Sequence, residues 1–315
     1  MTQNSDILLG ALIADAACLG LHWIYAPEKI AAIAERQGGQ CAFTPLDIKN
    51  YEGVKTFAHG ARSDGMMTQI GEVLRLTIQS MNAHDGAFDV SAYQTAFAGH
   101  FGAGGAYQGF MDRPTRGALE NIAAEQSPSG IDDNQTPALS RLPAILVGYH
   151  GQENLADMVT ASMEVTNVND VAAAYSHTFT EVLSRVMQNE PLDEALNAAA
   201  NSANALIKAD LIAALAAPEH DSTEFAGLTG LMGRACSLPS AGPVIFHILK
   251  HSRSYQEAIE RNILAGGDNA GRSIMIGAIM AGKHGVATPS GVPLSWVLKL
   301  DDAAEILAEC EHLGA

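Results

Sequence analysis

Along most of the chain the apolar residues recur every three or four positions and almost never every second one, which restricts the fold to packed helices. The stretches TQIGEVLRLTIQSMNAH (68–84), NVNDVAAAYSHTFTEVLSRVMQ (167–188) and LDEALNAAANSANALIKADLIAALAA (192–217) each carry one apolar stripe. Helix starts are expected at Asn169 or Asp170, at Pro191 to Asp193 and at Ser254, because these residue types cap unpaired backbone N–H groups or tolerate the first turn. Breaks fall at GAGGAYQG (102–109), SPSGIDDNQTP (127–137), SLPSAGP (237–243) and TPSGVP (288–293). These breaks are too short to link domains. They predict a single all-α domain over residues 1–315, with no internal repeat.

At 315 residues, 47% hydrophobic and 17% charged, the chain has enough apolar side chain to bury a large core. Its formal charge of −17 repels phosphate backbones and anionic lipid surfaces, which excludes nucleic acid and membranes as expected partners. A pocket is governed by its nearest charges, so a small anion stays admissible. Cys18, Cys41, Cys236 and Cys310 show no metal-binding or disulfide spacing. The N-terminal apolar stretch lacks a basic flank and is interrupted by Asp6 and Asp15, so a cytoplasmic protein is expected.

Polar residues gather where helices begin or end. LLGALIADAACLGLHWIYAPEKI (8–30) closes on Gly20, His22 and Trp23. In FAHGARSDGMMTQIGEVL (57–74) a polar run from His59 to Gly65 precedes a helix, where Asp64 is either a plain cap or a site acid. YQGFMDRPTRGAL (107–119) offers Asp112 and Arg116, read as a local pair fixing a loop. In AGGDNAGRSIMIGAIMAG (265–282) two glycines allow a tight turn, and Asp268, Asn269 and Arg272 stand at the mouth of a helix too apolar for the surface. Ser63, Ser273 and the cysteines have no neighbouring His and acid to activate them, so nucleophilic catalysis finds no support.

These segments together resemble the ADP-ribosylglycohydrolase family, and within it the J-type crystallin branch. GALIADAACLGLHWIY is similar to the family's opening Gly-Asp-Ala helix with the His-Trp-x-Tyr ending of that branch. DRPTRGAL resembles the Gly-Thr-x-x-Ala-Leu segment, DDNQTPALSRLPAI the Asn-Gly-x-x-Met-Arg-x-x-Pro segment, and GVPLSWVLKL the closing Ile-Pro-x-x-Trp segment. The stretch from SLPSAGP to the Gly-Gly-Asp helix is the most specific match. The resemblance implies an orthogonal multi-helix bundle with a cleft where helix starts converge, and a small-molecule or ADP-ribosylated substrate.

It also implies a pair of magnesium ions held by a Thr-Asp-Asp-Thr run and a Gly-Gly-Asp-x-Asp-Thr run, since hard Mg²⁺ selects oxygen. Set against these, SDGM keeps Ser63 and Asp64 but has Gly65 and Met66, and GGDNAG keeps Asp268 but has Ala270 and Gly271. A binuclear site is therefore not expected. Ser63, Asp64 and Asp268 leave room for at most one weakly held Mg²⁺. Arg272, four residues after Asp268, is expected to replace the lost cation by pairing with Asp268 and reaching Asp64. The resemblance and the position of both acids at helix starts place Asp64 and Asp268 as catalytic acids in one cleft, and the resemblance adds Asn134 to its lining. His22 and Trp23, able to stack on or hydrogen-bond a ligand, His59 near the cleft entrance, and Asn269 and Arg272 beside Asp268 are the other expected substrate-binding residues. Three functional classes stay open. They are a hydrolase of an N- or O-glycosidic bond to ADP-ribose or a related ribosyl compound, a non-catalytic nucleotide binder, and a crystallin-like structural protein.

Overall fold

The computed structural model describes residues 1–54, 57–219 and 234–315. Its helices are α1 (Gln3–Cys18), α2 (Pro27–Arg36), α3 (Gln69–Asn82), α4 (Val90–Phe101), α5 (Arg113–Ala123), α6 (Leu142–Tyr149), α7 (Leu155–Glu164), α8 (Asp170–Met187), α9 (Leu192–Ser202) and α10 (Lys208–Ala216). After these come α11 (Leu238–His251), α12 (Tyr255–Ala265), α13 (Asn269–His284), the short α14 (Leu294–Val297) and α15 (Ala303–Leu313). The described residues hold no β-strand, only isolated bridges such as Gln135 with Ser237.

At the centre α1 packs along α13, the most extensive helix pair in the molecule. Both helices are apolar or small on every side, so neither has a face to offer water, and α13 is buried from Asn269 to Gly282. Their backbones approach closely because glycine removes the side chain between them: a Cβ on Gly277 would lie 2.5 Å from both the Gly10 carbonyl and the Ala14 Cβ. Gly10 meets Ala281, whereas Ile7 meets Gly282 and Ala14 meets Gly277, so the two helices run antiparallel. The end of α1 therefore lies at the start of α13. Residues 3–21 are long and apolar enough to cross a membrane, but here they are the buried core helix.

The expected caps are present at Asn169, whose side chain accepts from the Val171 and Ala172 N–H groups, and at Ser254, which accepts from Glu257. The stretch 192–217 is two helices rather than one. Asn204 breaks it by accepting the Leu206 N–H on its own side chain, an alternative to helical pairing.

Asp15 is fully buried on α1, where it accepts the Thr68 N–H (2.6 Å) and hydroxyl (2.7 Å) and so fixes the start of α3. Burial outweighs these hydrogen bonds and pushes its pKa up to about 7 from 3.8. The folded form thus holds this proton more tightly than the unfolded chain does, and stability should fall as pH rises from the ordinary carboxylate range toward 7, then level off. Asp15→Asn should flatten this part of the profile. Urea midpoints of both proteins across that range check it, and parallel profiles would refute it.

Candidate active site

Several chain segments start or turn at one small cavity. The turn after α1 brings His22 and Trp23, the loop before α3 brings His59, the starts of α3 and α5 bring Gln69 and Asp112, a short 3-10 segment brings Thr136, and the start of α13 brings Asp268. The positive φ of Gly266 (77°) and Gly267 (67°) turns the chain sharply into α13. A Cβ on Gly267 would lie 2.2 Å from the Arg234 carbonyl, so only glycine fits there.

Asp268 caps α13 with Oδ1, which accepts the Gly271 N–H (3.2 Å), and the same oxygen lies 2.9 Å from His22 Nε2. Its Oδ2 accepts the Thr136 hydroxyl (2.7 Å). Burial works against the carboxylate charge, but the His22 hydrogen bond and charge, the Thr136 hydroxyl and the Arg272 charge together hold its pKa below the ordinary value. A carboxylate oxygen only accepts, so His22 Nε2 carries the proton. On its other side His22 Nδ1 lies 2.8 Å from His59 Nε2, and the buried His59 Nδ1 has no partner. Burial, with His22 and Arg62 beside it, drives the His59 pKa down to about 2, so this ring is neutral.

Asp112 also lines the cavity. It caps α5 by accepting the Thr115 N–H (2.7 Å) on Oδ1 and accepts Gln69 Nε2 (2.9 Å) on Oδ2, while its own N–H donates to Gln69 Oε1 (2.7 Å). Burial nevertheless raises its pKa. Trp23 covers the cavity edge-on to Phe110, with ring centroids 4.7 Å apart. Its φ of +66°, costly for a bulky residue, is held by its N–H donating to the Gly267 carbonyl (2.9 Å). The cavity measures about 30 Å³, which is room for a few waters and not for a nucleotide until the aromatic cover moves.

Of the candidate site residues expected from sequence, His22, Trp23, His59 and Asp268 come together at this cavity, joined by Asp112, which the sequence pattern assigns only to a local pair; Ser63, Asp64, Asn134, Asn269 and Arg272 do not line it. Asp64 and Ser63 lie on an exposed part of the loop, and α3 starts only at Gln69 with Thr68 as its cap. Asp64 accepts the Leu46 N–H (2.7 Å) and lines a separate cavity with Thr44, Gly65 and Lys299. Asn134 donates no side chain to the site. Its carbonyl accepts the Leu238 N–H, and the next residues, Gln135 and Thr136, line the cavity instead. Asn269 is buried within the protein, donating to the Leu21 carbonyl (3.3 Å). Arg272 turns toward Asn262, donating to its Oδ1 (2.8 Å) and carbonyl (3.1 Å) and to the Gly266 carbonyl (2.7 Å), so it locks the glycine turn. Arg116 donates to the Met111 carbonyl, not to Asp112.

The donor set at this site does not fit the family's magnesium pair. Both Asp268 oxygens are taken by protein donors, Met66 and Met67 stand just ahead of the α3 cap, and imidazole is a poor ligand for a hard cation. Among the described residues no three His, Cys, Asp or Glu side chains group as metal ligands. Ser63, Asp64 and Asp268 do not converge.

The fold is that of the helical glycohydrolases. A solved structure described as an ADP-ribosylglycohydrolase-related protein complex superimposes with a TM-score of 0.67 over 99% of this chain and 97% of that one, at 15% identity. The ADP-ribosylglycohydrolase family profile matches residues 5–314, and the chain belongs to that family. It is similar to two proteins of Tripedalia cystophora. Crystallin J1A is 22% identical over 98% of this chain and 94% of the crystallin, and Crystallin J1B is 22% identical over 95% and 92%.

Proposed function

We propose that the protein hydrolyses an N- or O-glycosidic bond to ADP-ribose or a related ribosyl compound, with Asp268 and Asp112 as its working carboxylates. The observation that carries this reading is that two acids whose surroundings push their pKa values in opposite directions line one cavity. Such a separation assigns different roles to chemically identical groups. Asp268, held ionised by His22, stabilises positive charge as the ribosyl C1′ loses its leaving group. Asp112, the better proton acceptor of the two, takes the proton of the attacking water. His22 and His59 orient Asp268 and keep bulk water from it.

The test is turnover of N-linked and O-linked ADP-ribosyl compounds and of simple ribosides, followed by release of the free sugar, with and without a chelator. Turnover unaffected by chelation is the expected result, and no turnover of any of them would overturn the reading. A second reading, a structural role, is favoured by the crystallin relatives and by the small size of the cavity. It requires that none of these compounds raises the melting temperature.

A further inference from the structure

Resting on the hydrolase reading, the charge around the cavity narrows the substrate. A diphosphate needs either a cationic side chain or free backbone N–H groups at a helix start. Three helices begin at the cavity, and at each start one N–H is already taken by a cap from within the chain. Asp268 takes the Gly271 N–H of α13, Asp112 takes the Thr115 N–H of α5, and the Thr68 hydroxyl takes the Ile70 N–H of α3 (3.1 Å). Among the described residues no Lys or Arg lines the cavity. Arg113, next to Asp112, is engaged by Asp133 Oδ2 (2.6 Å), and Arg116 by the Met111 carbonyl. Among the described residues a phosphate would therefore face two carboxylates, with His22 already spent on Asp268.

The same lining suits a cation. Trp23 and Phe110 present aromatic surface at the cavity, and a flat cation is attracted to the faces of such rings. Among the described residues the leaving group also has no unspent acid to protonate it, since the His22 Nε2–H is taken by Asp268. Both Asp112 oxygens and both Asp268 oxygens accept hydrogen bonds, the Thr136 hydroxyl is spent on Asp268, and the Cys236 thiol is pushed up to about 12 by burial. A base that must pick up a proton as it leaves is poorly served here. One that leaves as a neutral molecule from a cationic precursor is not.

We propose that the site takes a phosphate-free N-riboside whose base is an aromatic cation, such as a pyridinium. In the reaction the C1′–N bond breaks with both electrons going to the ring nitrogen, which departs as the neutral base. Water adds its oxygen to C1′ and gives its proton to Asp112, and no other reactant is needed. Entry requires the Trp23 and Phe110 cover to part.

Three probes separate the contributions: both anomers of N-ribosylnicotinamide, both anomers of its 5′-ADP counterpart, and the neutral nucleoside inosine. Binding to the intact protein is read by calorimetry and turnover by release of the free base. The expected result is that the cationic riboside binds about tenfold or more tighter than either comparison compound. Tighter binding of the 5′-ADP form, or equal binding of inosine, would overturn the inference, while turnover of that compound would leave the hydrolase reading standing. Preferential binding of the cationic riboside with no turnover of any probe would support the ligand class and sink the hydrolase reading. Asp112→Asn and, as a milder variant, Phe110→Leu should each shrink the preference for the cation over inosine. A preference unchanged in both would count against the assignment.

Discussion

Arg272→Ala is expected to cost about 3 to 5 kcal/mol of folding stability, and neither mild acid nor added Mg²⁺ should restore it. The side chain is 0% exposed, and its described hydrogen bonds go to Asn262 Oδ1, the Asn262 carbonyl and the Gly266 carbonyl. Truncation strands those acceptors in the interior and opens a void of nearly a whole guanidinium arm. Burial lowers the Arg272 pKa only to about 10, so the group is charged at neutral pH and its hydrogen bonds are charge-assisted. Acid restores little because the described hydrogen-bond acceptors are amide and backbone oxygens, which do not titrate; protonating Asp268 relieves only its charge interaction with Arg272. Mg²⁺ does not rescue it because Asp268 takes its contacts from His22, Thr136 and Gly271. Arg272→Lys should also lose most of this stability, since an ammonium cannot span the same forked acceptors. Urea midpoints of the parent and both variants measure the effect, and a loss below about 1 kcal/mol for Ala would refute the locking role.

Asp268→Asn is expected to reduce turnover by about a thousandfold while Asp64→Asn leaves it within about twofold. The amide keeps the shape of Asp268 but removes the negative charge, and it confronts the His22 Nε2–H with a second donor unless both groups flip. Asp64 sits on an exposed loop, bonded to the Leu46 N–H, and lines another cavity. Steady-state rates on whichever ribosyl compound the parent turns over, with melting temperatures to confirm folding, separate the two acids. Equal losses at both positions would return Asp64 to the site and sink the assignment of Asp112.

The all-helical fold was legible because helical periodicity is a local property, repeated in segment after segment. Asp268 was legible for the same reason: the double glycine and the apolar helix after it are neighbours in sequence. The place of Asp64 is not legible in the sequence because it depends on the Leu46 N–H and on where α3 begins, and three more residues intervene before Thr68 caps that helix. The four-residue spacing assigns Arg272 to Asp268, yet its described acceptors are Asn262 on α12 and Gly266 in the turn, which no local pattern reports. Asp112 reads only as half of a local pair, and Thr136 does not stand out, because a capping acid and a threonine beside proline look ordinary in sequence. Asp112 spaced three before Thr115 did signal a helix start, and helix starts are where this site is built.

The antiparallel seating of α1 on α13 has a consequence for how the molecule is made. His22 and Asp268, which share one hydrogen bond, are 246 residues apart in the chain. A ribosome delivers the first long before the second, so the emerging N-terminal helix, apolar on every side, has no native surface to cover it until nearly the whole chain is out. Folding must then close a very large loop before its central contact forms, a topology associated with slow folding and with reliance on chaperones during synthesis.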